Sequence, residues 1–425
     1  MRQASLVGFE TIIASEIDEN LDSQLLHAQK NIYTLAQVCQ RLSSGKSITA
    51  ADIQDSGEYP VYGANGVRGY TSVSNFKGEC AIIGRQGAYC GNVHYFSGEA
   101  YMSEHAVVAH PNELADARYL AYLLSLMDLS RLQGQSAQPG LSVQTLAKQN
   151  IQLPDIATQQ RIGNLLGVLD KKIELNRQLN DNLEATAQAL YDYWFVQFDF
   201  PDENGKPYKS SGGKMVWNKE LKREIPEGWS ALPLFDVASV LYGYPFKTEL
   251  FTDNSSDLPI IRIRDILENT FSAYSREPIH EKYLTRRGDL LIGMDGNFHL
   301  NYWHRDGDGV NQRVVRIRSS VPTVSNIQLK LELTPYIKMR EANVTRSTVG
   351  HLGDKDFKER HILVADESAD FNPAKILDAI LDRMTSLVAE TQNLEKQRDF
   401  LLPLLMNGQV QVKPQGELNY RLTAD

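Results

Sequence analysis

Apolar residues recur twice in this sequence at alternating steps of four and three, and no other feature constrains the fold as strongly. The first series is Ile162, Leu166, Leu169, Ile173, Asn176, Asn180, Leu183, Ala187, Leu190 and Trp194, broken only by its two asparagines. The second is Leu377, Ile380, Met384, Leu387, Leu394, Leu401 and Leu405, kept in register through Thr391 and Arg398. A mean step of about 3.5 residues stays close to the helical turn, so each series lines one face of a long helix, as in a coiled-coil seam. Two long helices alternating with two globular blocks is the organisation this pattern predicts.

At 425 residues with 42% hydrophobic content the chain exceeds one ordinary domain, and two or three are expected. A net charge of −9 argues against coating nucleic acid by bulk electrostatics, although a local basic face is compatible with it. Cys39, Cys80 and Cys90 are odd in number and lack the paired spacing of a zinc site or disulfide framework. A reducing, cytoplasmic setting is the natural reading. No apolar run reaches the roughly 18 residues of a membrane span, and the first residues lack a cationic segment followed by an apolar core, so no membrane partner is expected.

Ile13, Ile17, Leu21 and Leu25 recur every four residues and predict a short amphipathic helix within residues 1–30. From Tyr33 to Pro154 the pattern changes to short apolar runs broken by glycine. Pro60–Tyr62, Cys80–Ile83, Ala106–Val108 and Ile151–Leu153 read as strands, with a helix over Arg118–Met127. The first long helix begins after Pro154 and runs into the aromatic stretch Tyr191–Phe200. Asp202–Glu224, rich in Gly, Ser and Lys, reads as a linker or exposed loop. The second block, opening at Ile225–Trp229, offers strands at Ile260–Ile263, Leu290–Ile292, Val314–Ile317 and His361–Val364. Asn372-Pro373 suits the start of the closing helix and Asn407-Gly408 its end.

The halves read as one unit used twice. Leu35, Val38 and Leu42 match Leu234, Val237 and Leu241; Gly78-Glu79 matches Gly288-Asp289; Leu146 and Ile151 match Phe357 and Ile362. A period of about 210 residues is too long for a solenoid and indicates tandem duplication.

Catalytic motifs are missing. Gly45-Lys46-Ser47 resembles the end of a P-loop, but the first glycine would have to stand at Gln40. Asp295-Gly296 and Asp306-Gly307 read as turns, and no GxGxxG after a strand, HExxH, GxSxG or metal-spaced His/Cys cluster occurs. The aromatic run Tyr191–Phe200 reads as core or interface rather than as a base-stacking surface.

Polar, turn-flanked segments in both blocks are more informative, because Arg, Gln and Asn make bidentate contacts to base edges whereas Lys mostly positions phosphate. In the first block these are Lys46, Asn65, Arg68, Arg85, Gln86, Asn92, Gln135 and Gln138. In the second they are Tyr244, Lys247, Arg262, Arg264, Asn297, Trp303, Gln312, Arg313, Arg346 and Lys355, with Arg316 and Arg318 crowding the strand after Arg313. Singly, each reads as a solvated loop residue; recurrence at matching places in both halves puts DNA contact on equal terms with that reading.

The order of blocks and helices resembles the specificity subunits of type I restriction-modification systems. The local matches are Ile225-Pro226-Glu227-Gly228-Trp229, Gln159-Gln160-Arg161-Ile162 through Leu169–Ile173, Phe357–Ile362 and Leu401–Val410. The second helix lacks the Gln-Gln-Arg-Ile start and has Ala365 where the first half has Pro154. The resemblance implies an α+β chain with two pseudo-symmetric globular target-recognition domains separated by two long antiparallel coiled-coil spacer helices. On that reading residues 1–30 are the N-terminal helix, 31–155 the first recognition domain, 156–200 the first spacer helix and 201–224 a linker. Residues 225–370 are the second recognition domain, 371–408 the second spacer helix and 409–425 a C-terminal tail.

The family also implies a chain that is not itself an enzyme and carries no cofactor. Its partners are double-stranded DNA, two modification subunits that use S-adenosylmethionine to methylate adenine, and restriction subunits that use ATP and Mg2+. Each recognition domain is expected to read half of a bipartite target, with the helices setting the unread spacer and Asn176 and Asn180 fixing their register. Two rivals stand beside this reading. One is an enzyme with diverged motifs; the other is a structural coiled-coil adaptor or antagonist that binds the modification subunits without reading DNA.

Overall fold

The structure is a computed structural model that describes residues 17–18, 30–133, 140–343, 350–366 and 371–413. It contains two compact units, one formed by Met1–Lys172 with Leu394–Asp425 and the other by Ile173–Asn393. Helix and strand are mixed in both.

The strands of the first unit are β1 (Asn31–Thr34), β2 (Cys39–Ser44), β3 (Tyr59–Gly63), β4 (Gly66–Thr71), β5 (Phe76–Gly84), β6 (Val93–Met102), β7 (Ala106–Pro111) and β8 (Asn150–Leu153). Six of them form one sheet in the order β2-β7-β5-β6-β3-β4, antiparallel except that β3 runs parallel to β6, while β1 pairs with β8. Cys80–Gly84 of β5 are buried at every position, which is why that run is apolar without alternation. The helix Ala117–Leu126 packs on β5 and β6, its start capped by Asp116, which accepts from the Arg118 and Tyr119 amides.

The first long helix, Ile156–Tyr191, is capped by Asp155, whose carboxylate accepts from the Thr158 amide at 2.9 Å. Within this unit its opening turns meet the end of the second long helix, Pro373–Asn407. The Arg398 guanidinium donates to Asp170 at 2.9 Å, and the Tyr122 hydroxyl donates to the same carboxylate. Ile17–Asp18 pair antiparallel with Gln411–Val412, so Ile17 lies in a strand rather than in the helix its spacing predicts. Backbone pairing across distant parts of the chain has overridden a local apolar period there. The rest of the helix expected within residues 1–30 lies outside the described residues.

The second unit holds β9 (Ser230–Pro233), β10 (Ala238–Tyr242), β11 (Leu258–Ile261), β12 (Leu290–Gly293), β13 (Leu300–Tyr302), β14 (Val314–Ser319) and β15 (His361–Val364). Its larger sheet has the order β10-β14-β12-β13, β9 pairs with β15, and β11 runs parallel to Gly309–Val310. The strand expected through Ile263 stops at Ile261 and gives way to a short helical turn, Ile263–Asp265. Residues 201–224, expected as a linker, are ordered: Met215–Asn218 forms a hairpin with Arg223–Pro226, and Tyr208 stacks on Phe200 at 4.8 Å. The long helix ends in a π turn, Asp192–Val196, and Phe198 takes a positive φ of 63°. Trp194, Phe195, Phe198 and Phe200 are thereby folded into the core around Trp229.

The heptad positions are the covered ones. Ile162, Leu166, Leu169, Ile173, Leu377, Met384, Leu387, Leu394 and Leu401 are buried, and Leu183, Leu190 and Ile380 partly so. In the second unit Ala187, Leu377, Leu381 and Met384 share one apolar cluster, against which Leu183 and Leu190 pack. Asn176 is wholly buried yet its amide oxygen and nitrogen have no hydrogen-bond partner, nor has the Asn180 amide oxygen. The interhelical hydrogen bond that a register-fixing asparagine calls for is therefore not made by these atoms among the described residues.

The internal repeat extends to single hydrogen bonds. The Leu35 amide donates to Gln149 O as that of Leu234 does to Arg360 O, Gly45 to Ala106 O as Gly243 to Val314 O, and Leu141 to Arg85 O as Leu352 to Met294 O. Strand pairing sets Gly84 opposite Ala106 and Gly293 opposite Val314, which makes Gly84 and Gly293 equivalent. The match of Gly78-Glu79 to Gly288-Asp289 is thus one residue out of step.

Candidate nucleic-acid interface

In the first unit a chain of backbone contacts gathers five of the expected residues at one end of the sheet. Lys46 bridges Ser103, whose amide donates to Tyr62 O; a side chain on Gly84 would strike Ala64 O; and the Gly84 amide donates to Asn92 O. Arg85 donates its amide to His105 O, and Gln86 bridges Gly140. Lys46, Asn65, Gln86 and Asn92 are exposed here and Arg85 half-buried. Arg68, one strand over on β4, is exposed and lays its side chain across Gly63, which lacks the Cβ that would block it. Gln86 Oε1 lies 3.1 Å from His105 Nδ1, which orients the amide while leaving its nitrogen free to donate.

The second unit repeats this frame with other side chains. Tyr244 stands where Lys46 does, bridging Asn311 as Lys46 bridges Ser103, and Asp295 stands where Gln86 does, bridging His351 as Gln86 bridges Gly140. Asn297, Gln312, Arg313 and Arg264 are exposed around that end. Asp295 organises it, with one carboxylate oxygen 2.7 Å from His351 Nδ1 and the other 3.3 Å from the Arg313 guanidinium. Arg262 and Arg264 both turn onto Ser272: the Nε of each donates to the same hydroxyl, at 3.1 and 3.0 Å, and Arg262 also reaches Ser272 O. The two guanidinium groups share this neutral acceptor, and Arg262 also lies 4.0 Å from the Asp265 carboxylate, which leaves Arg264 as the cation exposed to solvent. Tyr244 is half-buried and donates its hydroxyl to Glu277 at 2.9 Å, whose other oxygen accepts from the Lys247 amide at 2.8 Å, leaving the Lys247 ammonium exposed.

Several expected contacts are structural instead. Trp303 is fully buried, its indole nitrogen donating to Asp308 at 2.8 Å, so it cannot meet a base. Arg316 is buried and donates to the Lys282 and Leu284 carbonyls, and Arg318 is engaged by Asp289 at 2.5 and 2.6 Å. These arginines alternate on a strand whose faces are both covered, a context that the local sequence does not reveal. Lys355 is exposed on a short helix, 3.6 Å from Glu359. Gln135, Gln138 and Arg346 fall outside the described residues. His105, Asp295, His351 and Ser272 are orienting groups that reading by residue type passed over. The equivalence of Gln86 with Asp295 was the signal that would have found two of them.

Among the described residues no group of three or more His, Cys, Asp or Glu side chains is placed to hold a metal ion, and no helix is long and apolar enough to cross a membrane.

The family described as type I restriction modification DNA specificity domain matches residues 29–185. The type I restriction enzyme EcoprrI specificity subunit of Escherichia coli is 36% identical over 141 residues, which is 32% of this chain and 35% of that protein. The MjaIX specificity subunit of Methanocaldococcus jannaschii is 24% identical over 318 residues, 71% of each. The crystal structure of the type I system S subunit from M. genitalium shares the fold, with a TM-score of 0.63 at 16% identity, covering 91% of this chain and 97% of that one. Residues 29–185 thus match a type I DNA specificity domain, and the chain is similar to type I specificity subunits, spanning about a third of the length of the EcoprrI subunit.

Proposed function

We propose that this chain is the DNA sequence-specificity subunit of a type I restriction-modification complex, each unit presenting one target-recognition domain to half of a bipartite site. The observation that carries the reading is the repeated sheet end. One backbone frame displays Lys46, Asn65, Gln86 and Asn92 in one unit and Asn297, Gln312, Arg313 and Arg264 in the other. These side chains suit major-groove base edges, and equal frames with unequal side chains suit two different half-sites. Asn and Gln favour adenine, Arg guanine. The paired guanidiniums at Ser272 suit a backbone phosphate.

The long helices act as coiled-coil spacers in this reading. A helix of 36 residues is about 54 Å long at 1.5 Å per residue, longer than one turn of DNA. Val168, Leu175 and Leu179 leave apolar side chains exposed on the first long helix, away from its heptad seam, as a docking face for a partner would. The partners are two modification subunits, which bring S-adenosylmethionine, and restriction subunits, which bring ATP and Mg2+; the chain itself supplies sequence choice and assembly.

The test is methylome sequencing of cells carrying the chain with its modification subunits. Exchanging residues 31–155 for those of a relative should replace one half-site completely and leave the other intact. Gln86→Ala should relax discrimination at one position of that half by about 1–3 kcal/mol. Methylation that is unchanged by the exchange, or that proceeds equally without the chain, overturns the proposal.

A further inference from the structure

The first unit contains a cavity of about 90 Å3 whose walls include Lys30, Tyr119, Thr158, Arg161, Leu405 and Val410. A single water needs roughly 10–15 Å3 on the same measure, so the space takes several waters or one small oxyanion. Asn407 and Gln411 line it beside three strong donors, Lys30, Tyr119 and Arg161. Tyr119 is wholly buried and its hydroxyl has no partner; the Arg161 Nε is likewise buried and unpartnered. Arg161 uses one terminal nitrogen to reach Thr158 Oγ1 at 2.8 Å, and that hydroxyl donates its own hydrogen to Asp155 at 2.6 Å. The Lys30 ammonium donates to Met406 O at 2.7 Å. Neither cation forms an ion pair with a carboxylate among the described residues.

Two positive charges, an orphaned phenol and an orphaned guanidinium N–H share one cavity, and the Asp155 carboxylate is reached from Arg161 only through the Thr158 hydroxyl. Leaving such groups buried and unmet is costly, and an oxyanion satisfies all of them at once through charge-assisted hydrogen bonds. We propose that this cavity binds a small oxyanion, of the size of inorganic phosphate or a short carboxylate, held by Tyr119, Arg161 and Lys30. The partial burial that lowers the Lys30 pKa is offset when the anion arrives. Since Thr158 and Arg161 belong to the start of one long helix and Leu405 to the end of the other, the bound anion ties these helix ends together inside the first unit.

The experiment is calorimetric titration of the full chain with inorganic phosphate and, separately, with acetate, at constant ionic strength. The proposal expects saturable binding of at least one of them, weakened tenfold or more in Arg161→Met and severalfold in Tyr119→Phe. Phosphate binding alone identifies a phosphate site, acetate binding alone a carboxylate site, and both a general oxyanion site. Absence of saturable binding with either, or affinities unaltered in the variants, means that the cavity holds water and overturns the proposal. Should Arg161→Met fail to fold, Tyr119→Phe, which removes one oxygen and no packing, decides the matter alone.

Discussion

The same frame is drawn with one long strand in the first unit and a broken one in the second. In the first, β6 runs ten residues, pairing with β5 from Val93 to Ala100 and with β3, in parallel, at Tyr101 and Met102. In the second, that course is split into Leu300–Tyr302, which pairs with β12, and Gly309–Val310, which runs parallel to β11. The intervening Trp303–Asp308 turns aside, pinned by the indole bond to Asp308 and by Thr285, whose hydroxyl accepts from the Asp308 amide at 3.1 Å. The ends of both courses still meet the same partners, Lys46 at Ser103 and Tyr244 at Asn311. What is held constant is therefore the rim that displays side chains, while the strand delivering it is free to vary.

The equivalence is most sharply tested where both rims are tightest. A Cβ on Gly45 would collide with Met102 O, and one on Gly243 with Asn311 O. Gly45→Val and Gly243→Val should each cost about 3 kcal/mol or more, by similar amounts, in thermal or denaturant unfolding. If one is tolerated, the two rims are not the same construction.

Charge separates the units. The carboxyls that burial pushes up, Asp308, Glu332 and Asp378, all belong to the second unit among the described residues. Glu332, raised to about 7, accepts from Gln328 Nε2 and from the Leu363 amide. A folded pKa above the unfolded one stabilises below the ordinary carboxylate range, and that gain is lost as pH rises through the folded value. The second unit should therefore weaken as pH rises from about 4.5 to about 7, by about 2 kcal/mol from Glu332 after allowing for its partial exposure. Glu332→Gln should flatten this slope, as followed by hydrogen exchange in each unit; an unchanged slope assigns the effect elsewhere.

Trp303→Phe should cost the second unit about 1–2 kcal/mol, because Asp308 keeps its burial and loses its indole donor. Half-site preference should not change, and a changed preference would return Trp303 to the interface. The smallest expected effect is a gain. Asn176→Leu removes a buried amide without partners and should raise stability by about 1 kcal/mol, whereas new association on size-exclusion chromatography would restore its register role.

Much of the frame was legible because it rests on repetition. The heptad positions are buried or partly buried throughout, and strands such as Leu290–Gly293 follow unbroken apolar runs. The displayed side chains were legible by type only in part. Trp303, Arg316 and Arg318 carry the chemistry of DNA contact, and partners far away in sequence, Asp289 and the Lys282 carbonyl among them, turn Arg316 and Arg318 inward. Ile17 was misread because a strand partner nearly four hundred residues on is invisible to local periodicity.

The first unit draws on both ends of the chain, Met1–Lys172 and Leu394–Asp425, whereas the second is continuous from Ile173 to Asn393. On the ribosome their order of completion is therefore inverted. The unit synthesised first waits for the last residues to emerge, while the one made in between has its whole sequence earlier. A chain truncated just beyond Asn393 and released from the ribosome should carry a folded second unit and an unfinished first one, its apolar helix face lacking Leu394, Leu401 and Leu405.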